Sequence, residues 1–130
     1  MKWRYFILAL CTLLLLPGCS THNPQDAGYR QVSMEEAIKM METKINYIIL
    51  DVRRVDEFAA GHIPGAINIP NENIGTEEIP ELPNKDQLIL VYCRSGNRSK
   101  QASDKLVALG YTNIVEFGGI NTWPGEIATD

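Results

Sequence analysis

The sequence predicts an α/β protein built on a parallel sheet covered by helices on both faces. Three observations carry that expectation. Short apolar runs alternate along the chain with segments of helical periodicity, the order of strand–helix–strand units. The strongest runs, Tyr47–Leu50 and Leu88–Tyr92, are apolar throughout, which suits strands buried on both faces. The chain is 130 residues long, 45% hydrophobic and 22% charged, ordinary values for one globular domain. No internal repeat or low-complexity tract breaks this order.

The first stretch reads as an address and not as part of the fold. Lys2 and Arg4 precede the apolar run Tyr5–Leu16, which is too short to span a bilayer comfortably as a mature helix. It ends in Leu16-Pro17-Gly18-Cys19-Ser20. Those residues resemble the lipobox of bacterial lipoproteins, with Leu16, Gly18 and Cys19 at its defining positions and Pro17 in place of its usual small residue. The resemblance implies a signal peptide over residues 1–18 and a lipid on Cys19. It also implies anchorage to the bacterial cell membrane on the extracytoplasmic side, periplasmic or cell-surface. An ordinary secretory signal would export the chain equally. Residues 19–28, polar and aperiodic around Asn23-Pro24, read as a tether, and residues 29–130 as the domain.

Within the domain, Tyr29–Val32 is expected as a short edge strand. Ser33 then caps a helix, with Glu36 completing a capping box, and Met34, Ala37, Ile38 and Met41 form its apolar stripe. Tyr47–Leu50 is a strand closed by Asp51; Val55–Ala60 is a short helix stopped by Gly61; Ala66–Ile69 is a strand bounded by prolines. The acidic segment 71–86 reads as loop with a helical turn. Leu88–Tyr92 is the central strand, and an apolar helical periodicity begins at Ser99, running through Ala102, Leu106 and Leu109 to a cap at Gly110. Ile114–Phe117 is the last strand, and Trp123 is expected in the core. Ligand sites in such folds lie beyond the carboxyl ends of the strands, the edge shared by Asp51 and Cys93.

Between the central strand and its helix stands Cys93-Arg-Ser-Gly-Asn-Arg98-Ser99. A strand entering a helix through a tight loop points several backbone N–H groups at one spot, with the positive end of the helix dipole behind them. Such surroundings favour a thiolate, the nucleophilic form of cysteine. A formal charge of −4 argues against nucleic acid as a partner. Three cysteines and two histidines at these spacings build no zinc quartet, and there is no CxxC pair. After processing, Cys11 is gone and Cys19 is capped, leaving Cys93 the only free thiol of an exported domain.

Three stretches carry a family resemblance. Leu50-Asp-Val-Arg53 with Glu57-Phe58, Gly61-His-Ile-Pro-Gly-Ala66 and Asn68-Ile-Pro70 is the first; the Cys93–Ser99 loop is the second; Gly118-Gly119-Ile120 with Trp123 is the third. Together they resemble the rhodanese family. That implies a rhodanese-like α/β domain with a central parallel sheet of about five strands, and sulfurtransferase activity without a cofactor. It implies that Cys93 takes sulfane sulfur from a donor such as thiosulfate, carries it as a persulfide, and yields it to a thiol, cyanide or protein-thiol acceptor. Arg94, Ser95, Gly96, Asn97 and Arg98 would bind the substrate, the two arginines matching a dianion and the backbone N–H groups holding the persulfide. Arg98 reads equally as scaffold, bonded to Glu57 or to carbonyls. Asp51, Arg53, Glu57 and Ser99 read as supports behind the loop, and His62 as a turn residue.

Two rival functions share these residues. Dual-specificity phosphatases also use cysteine, a backbone cradle and arginine, but their loop is one residue longer than the four between Cys93 and Arg98. The shorter loop suits a single sulfur atom. A rhodanese-like carrier or partner-binding module without turnover is the other; inactive modules commonly lack the cysteine that this chain keeps.

Overall fold

Five parallel strands form one sheet in the order β1-β5-β4-β2-β3. In the computed structural model residues 28–129 are described, together with the isolated Gly18. The expected signal peptide, its Cys19 and the tether therefore lie outside the described residues apart from Gly18 and Gly28. The strands are β1 (Arg30–Gln31), β2 (Tyr47–Asp51), β3 (Ile67–Asn68), β4 (Leu88–Cys93) and β5 (Ile114–Gly119). The helices are α1 (Met34–Thr43), α2 (Val55–Ala60) and α3 (Asn97–Ala108). No helix among the described residues is long and apolar enough to cross a membrane.

The pleat divides the core into two layers. Ile89, Val91 and Cys93 of β4 join Leu50, Ala102 and Leu106 on the α3 side. Leu90 and Tyr92 join Ile49, Val115 and Phe117 on the side of Ala37 in α1. Every residue from Ile89 to Cys93 is buried, as the unbroken apolar run requires. Each buried Leu, Ile or Val contributes about 1.5–3 kcal/mol of burial energy, so this one strand anchors both layers.

The helices begin and end for local reasons. Ser33 is extended and its Oγ accepts the Glu36 N–H at 3.1 Å, opening α1. Ala37 is buried, with Met34 and Met41 of the expected stripe, and Met40, packed about it. Helix α3 starts at Asn97, two residues before the periodicity does, because Asn97 and Arg98 are polar first-turn residues that add nothing to an apolar stripe. Gly96 caps it at φ +114°, a conformation that favours glycine. At the other end Gly110 takes φ +96° and Tyr111 N–H returns to the Leu106 carbonyl at 3.1 Å, closing the helix.

The acidic segment is better anchored than a loop of its composition suggests. A 3-10 turn forms at Asn71–Asn73, and Ile74, Ile79 and Leu82 are buried under it. The Tyr111 hydroxyl donates to the Leu82 carbonyl at 2.6 Å. Trp123 is half-buried at the margin of the α1-side layer, its indole N–H donating to the Glu126 carbonyl at 2.9 Å.

Candidate active site

Cys93 is the last residue of β4 and only 1% exposed. The turn that follows folds back over it. Gly96 N–H donates to Sγ at 3.0 Å, and the backbone N–H groups of Ser95 and Ser99 also support the sulfur. The Ser99 hydroxyl lies 3.4 Å from Sγ. Burial pushes the thiol up, but the Ser99 hydroxyl and those N–H groups outweigh it, so Cys93 is held below the usual thiol range. This is an anion cradle closed around one sulfur atom.

The two arginines of the loop divide their work. Arg98, in the first turn of α3, grips Glu57 of α2 with Nη1 to Oε1 at 2.6 Å and Nη2 to Oε2 at 3.1 Å. The hydrogen bond and charge of Arg98 hold Glu57 below the usual carboxylate range, and Glu57 in turn raises Arg98. Arg98 makes the bond to Glu57 that its scaffold reading anticipates, its guanidinium engaged across 41 residues of sequence, and its charge is also felt by Cys93. Arg94 is exposed, with no ion pair among the described residues. Ser95 and Asn97 are exposed beside it, and Gly96 is buried.

Asp51 and Arg53 form a buried pair at the end of β2. Arg53 Nη2 reaches Asp51 Oδ2 at 2.7 Å and the Gly61 carbonyl at 2.7 Å. Burial pulls Arg53 down, but the hydrogen bonds and charge of Asp51 prevail and leave it raised. The pair thus braces the turn between β2 and α2, and it meets the strand that carries the cysteine at Tyr92. The Tyr92 hydroxyl accepts the Ile63 N–H at 3.1 Å and bonds the Asp51 carboxylate; burial, then Asp51, raises its phenol far above the usual range. His62 is buried away from this chemistry, stacked on Phe58 at 3.8 Å and with Nδ1 2.8 Å from the Phe58 carbonyl.

Two features of β5 complete the site. Val91 pairs with Glu116 but Cys93 with Gly119, so β5 carries one extra residue there, a bulge with Gly118 at φ +90°. The bulge sets Gly119 against the loop, where a Cβ would lie 1.9 Å from the Arg94 carbonyl oxygen. That carbonyl accepts the Asn121 N–H at 3.2 Å, tying the loop down. Glu116, only 3% exposed, accepts the Ser99 hydroxyl at 2.6 Å and the Gly118 N–H at 2.8 Å, both on Oε1. Sequence reasoning missed Glu116. The available signal was a carboxylate two residues from Ile114 on the same face of a strand expected to be buried.

The fold and site thus define an α/β domain whose parallel sheet carries a buried, anion-stabilised cysteine on a four-residue loop at its carboxyl edge. A model of the rhodanese-like domain matches residues 33–126, and the chain belongs to that family. It is 30% identical to the thiosulfate sulfurtransferase GlpE of Pseudomonas entomophila over 105 residues, 77% of this chain and 93% of that one. It is 32% identical over 117 residues to the adenylyltransferase and sulfurtransferase UBA4 of Candida albicans, 85% of this chain but only 26% of that longer protein. Among solved structures, the rhodanese-related protein of Thermoplasma volcanium superposes with a TM-score of 0.65 at 28% identity, over 78% of this chain and all of that one.

Proposed function

We propose that this protein is a thiosulfate sulfurtransferase that works through a persulfide on Cys93. The observation that carries the reading is the closed ring of donors on Sγ: the Gly96 N–H at 3.0 Å with those of Ser95 and Ser99 around it. A cradle of this size suits one anionic sulfur. Thiolate attack on the sulfane sulfur of thiosulfate breaks its S–S bond, releases sulfite and leaves Cys93–S–S⁻, which the N–H groups hold as an anion. A thiol, cyanide or protein thiol then takes the outer sulfur and restores the thiolate.

Arg94 is the donor-binding cation in this scheme. It is exposed at the loop while Arg98 is bonded to Glu57, so the charge facing the sulfonate end of thiosulfate comes from Arg94. The relatives named as thiosulfate sulfurtransferases support the same donor.

The test is mass spectrometry of the soluble domain after thiosulfate treatment. A gain of one sulfur atom is expected, removed by cyanide or dithiothreitol and absent in Cys93→Ser. No adduct, with hydrolysis of an aryl phosphate instead, would replace this reading with a phosphatase; an adduct that no acceptor discharges would make the domain a carrier.

The N-terminal sequence supports an exported protein tethered by lipid on Cys19. Cys19→Ala should release it from the membrane fraction, and unchanged fractionation would refute the anchor.

A further inference from the structure

We propose that Glu116 receives the proton of the Cys93 thiol through the hydroxyl of Ser99. The inference rests on the sulfurtransferase reading for its biological use, but its geometry stands by itself. Cys93 is only 1% exposed, so protein groups surround its thiol. Its hydrogen-bonded exit is Ser99, whose Oγ lies 3.4 Å from Sγ. The same oxygen lies 2.9 Å from the Gly96 carbonyl and 3.4 Å from the Gly118 carbonyl, yet its shortest contact, 2.6 Å, is to Glu116 Oε1. Gly118 N–H, at 2.8 Å from that oxygen, holds the carboxylate in place. A thiol, a hydroxyl and a carboxylate thus stand in line inside the protein.

Other charges nearby do not offer this service. Arg98 of α3 acts on the thiol electrostatically and cannot accept a proton. On the far side Glu116 interacts with the phenol of Tyr29, just before β1; burial first, and then Asp104 and Glu116, push that phenol up. Glu116 touches neither the sulfur nor the donor, so it is a positioning residue for the proton, acting through Ser99.

The step balances. The S–H bond breaks as its proton passes to Ser99 Oγ, while the original Ser99 proton forms an O–H bond on Glu116. The freed sulfur pair attacks the sulfane sulfur of thiosulfate; that S–S bond breaks and its pair leaves on sulfite. Ser99 now donates to the sulfur and protonated Glu116 donates to Ser99. When an acceptor removes the outer sulfur, the inner sulfur departs as thiolate and the proton returns along the same path.

The experiment compares Glu116→Gln and Ser99→Ala with the unaltered protein, following iodoacetamide alkylation of Cys93 and persulfide formation between about pH 5.5 and 10, a range spanning ordinary thiol ionisation. Without the relay the thiol must ionise first, so the variants' rates should fall roughly tenfold per pH unit below their thiol pKa. The expected result in both variants is a deficit of about 100-fold or more near pH 6 that closes by about pH 10, at the lower end of general-base effects. A deficit equal at all pH values would mean a distorted loop and overturn the proposal. So would no deficit, a pH-selective deficit in only one variant, or faster alkylation of Glu116→Gln near pH 6, which would make Glu116 merely a repelling charge. Alkylation needs no sulfur donor. A pH-selective deficit without any persulfide would keep the relay and reject the sulfur-transfer reading, and a persulfide without the deficit would do the reverse.

Discussion

Gly119→Ala tests how tightly the active loop is held. Gly119 has an extended backbone, φ −150°, which any residue can adopt, so the substitution adds only one methyl group. That methyl would lie 1.9 Å from the Arg94 carbonyl oxygen, 2.2 Å from its carbon and 2.5 Å from Ser95 N, all backbone atoms. Reaching ordinary contact at 3.4 Å requires the Arg94–Ser95 peptide to retreat by about 1.5 Å. Two losses follow. The Asn121 N–H bond to the Arg94 carbonyl breaks, and the Ser95 N–H that supports the sulfur is displaced. Overpacking of this kind costs about 1–3 kcal/mol of stability. Misplacement by more than an ångström costs on the order of 100-fold in catalysis. The assay is thiocyanate formation from thiosulfate and cyanide, with a urea titration alongside. Gly118→Ala is the contrast: its Cβ meets no atom within 4 Å, but its φ of +90° predicts backbone strain of about 1–2 kcal/mol with a smaller loss of turnover. If Gly119→Ala kept turnover within about threefold and melted normally, the strand-to-loop contact would not be what positions the cradle.

Removing the exposed guanidinium in Arg94→Ala should raise KM for thiosulfate about 10- to 100-fold, the worth of one charged hydrogen bond, while alkylation by neutral iodoacetamide stays near normal; equal losses in both would make Arg94 architectural. Arg98 holds Glu57 below the ordinary carboxylate range, so the pair stabilises the fold above about pH 4.3, the unfolded value, and that contribution disappears as pH falls through the lower folded one. With both groups partly exposed, its worth at neutral pH is about 1 kcal/mol, and urea titrations of Glu57→Gln should show the deficit near neutrality and lose it as pH falls through the lowered folded value; a deficit constant with pH would count against the ion pair. Tyr92→Phe strips a hydroxyl from the buried Ile63 N–H and the Asp51 carboxylate and should cost about 1–3 kcal/mol by the same titration; a neutral result would mean that both find other partners.

What the sequence disclosed depended on whether the cause was local. Helix α2 runs over the Val55–Ala60 expected of it, because Gly61 marks its end within the chain itself. The strands followed from apolar runs, and the parallel sheet from their alternation with helices. Helix α3 begins two residues ahead of the apolar periodicity at Ser99 because Asn97 and Arg98 carry no apolar period. The role of Arg98 was undecidable because it turns on Glu57, brought close only by the packing of α2 near α3. Glu116 stayed hidden for a similar reason: its partner Ser99 is 17 residues away, on another element. The Cys93 loop was legible because strand, turn and helix cap are contiguous. Its inner wall was not, because that wall belongs to β5.

The placement of that wall has a consequence for synthesis. The cysteine and its loop leave the ribosome well before β5, and β5 supplies both Gly119 and Glu116. A chain made as far as α3 can form the turn, but nothing yet closes over the sulfur or takes its proton. The complete cradle therefore forms only when the last strand docks beside β4, so the tuned thiol of the finished site belongs to the whole sheet and not to its loop alone.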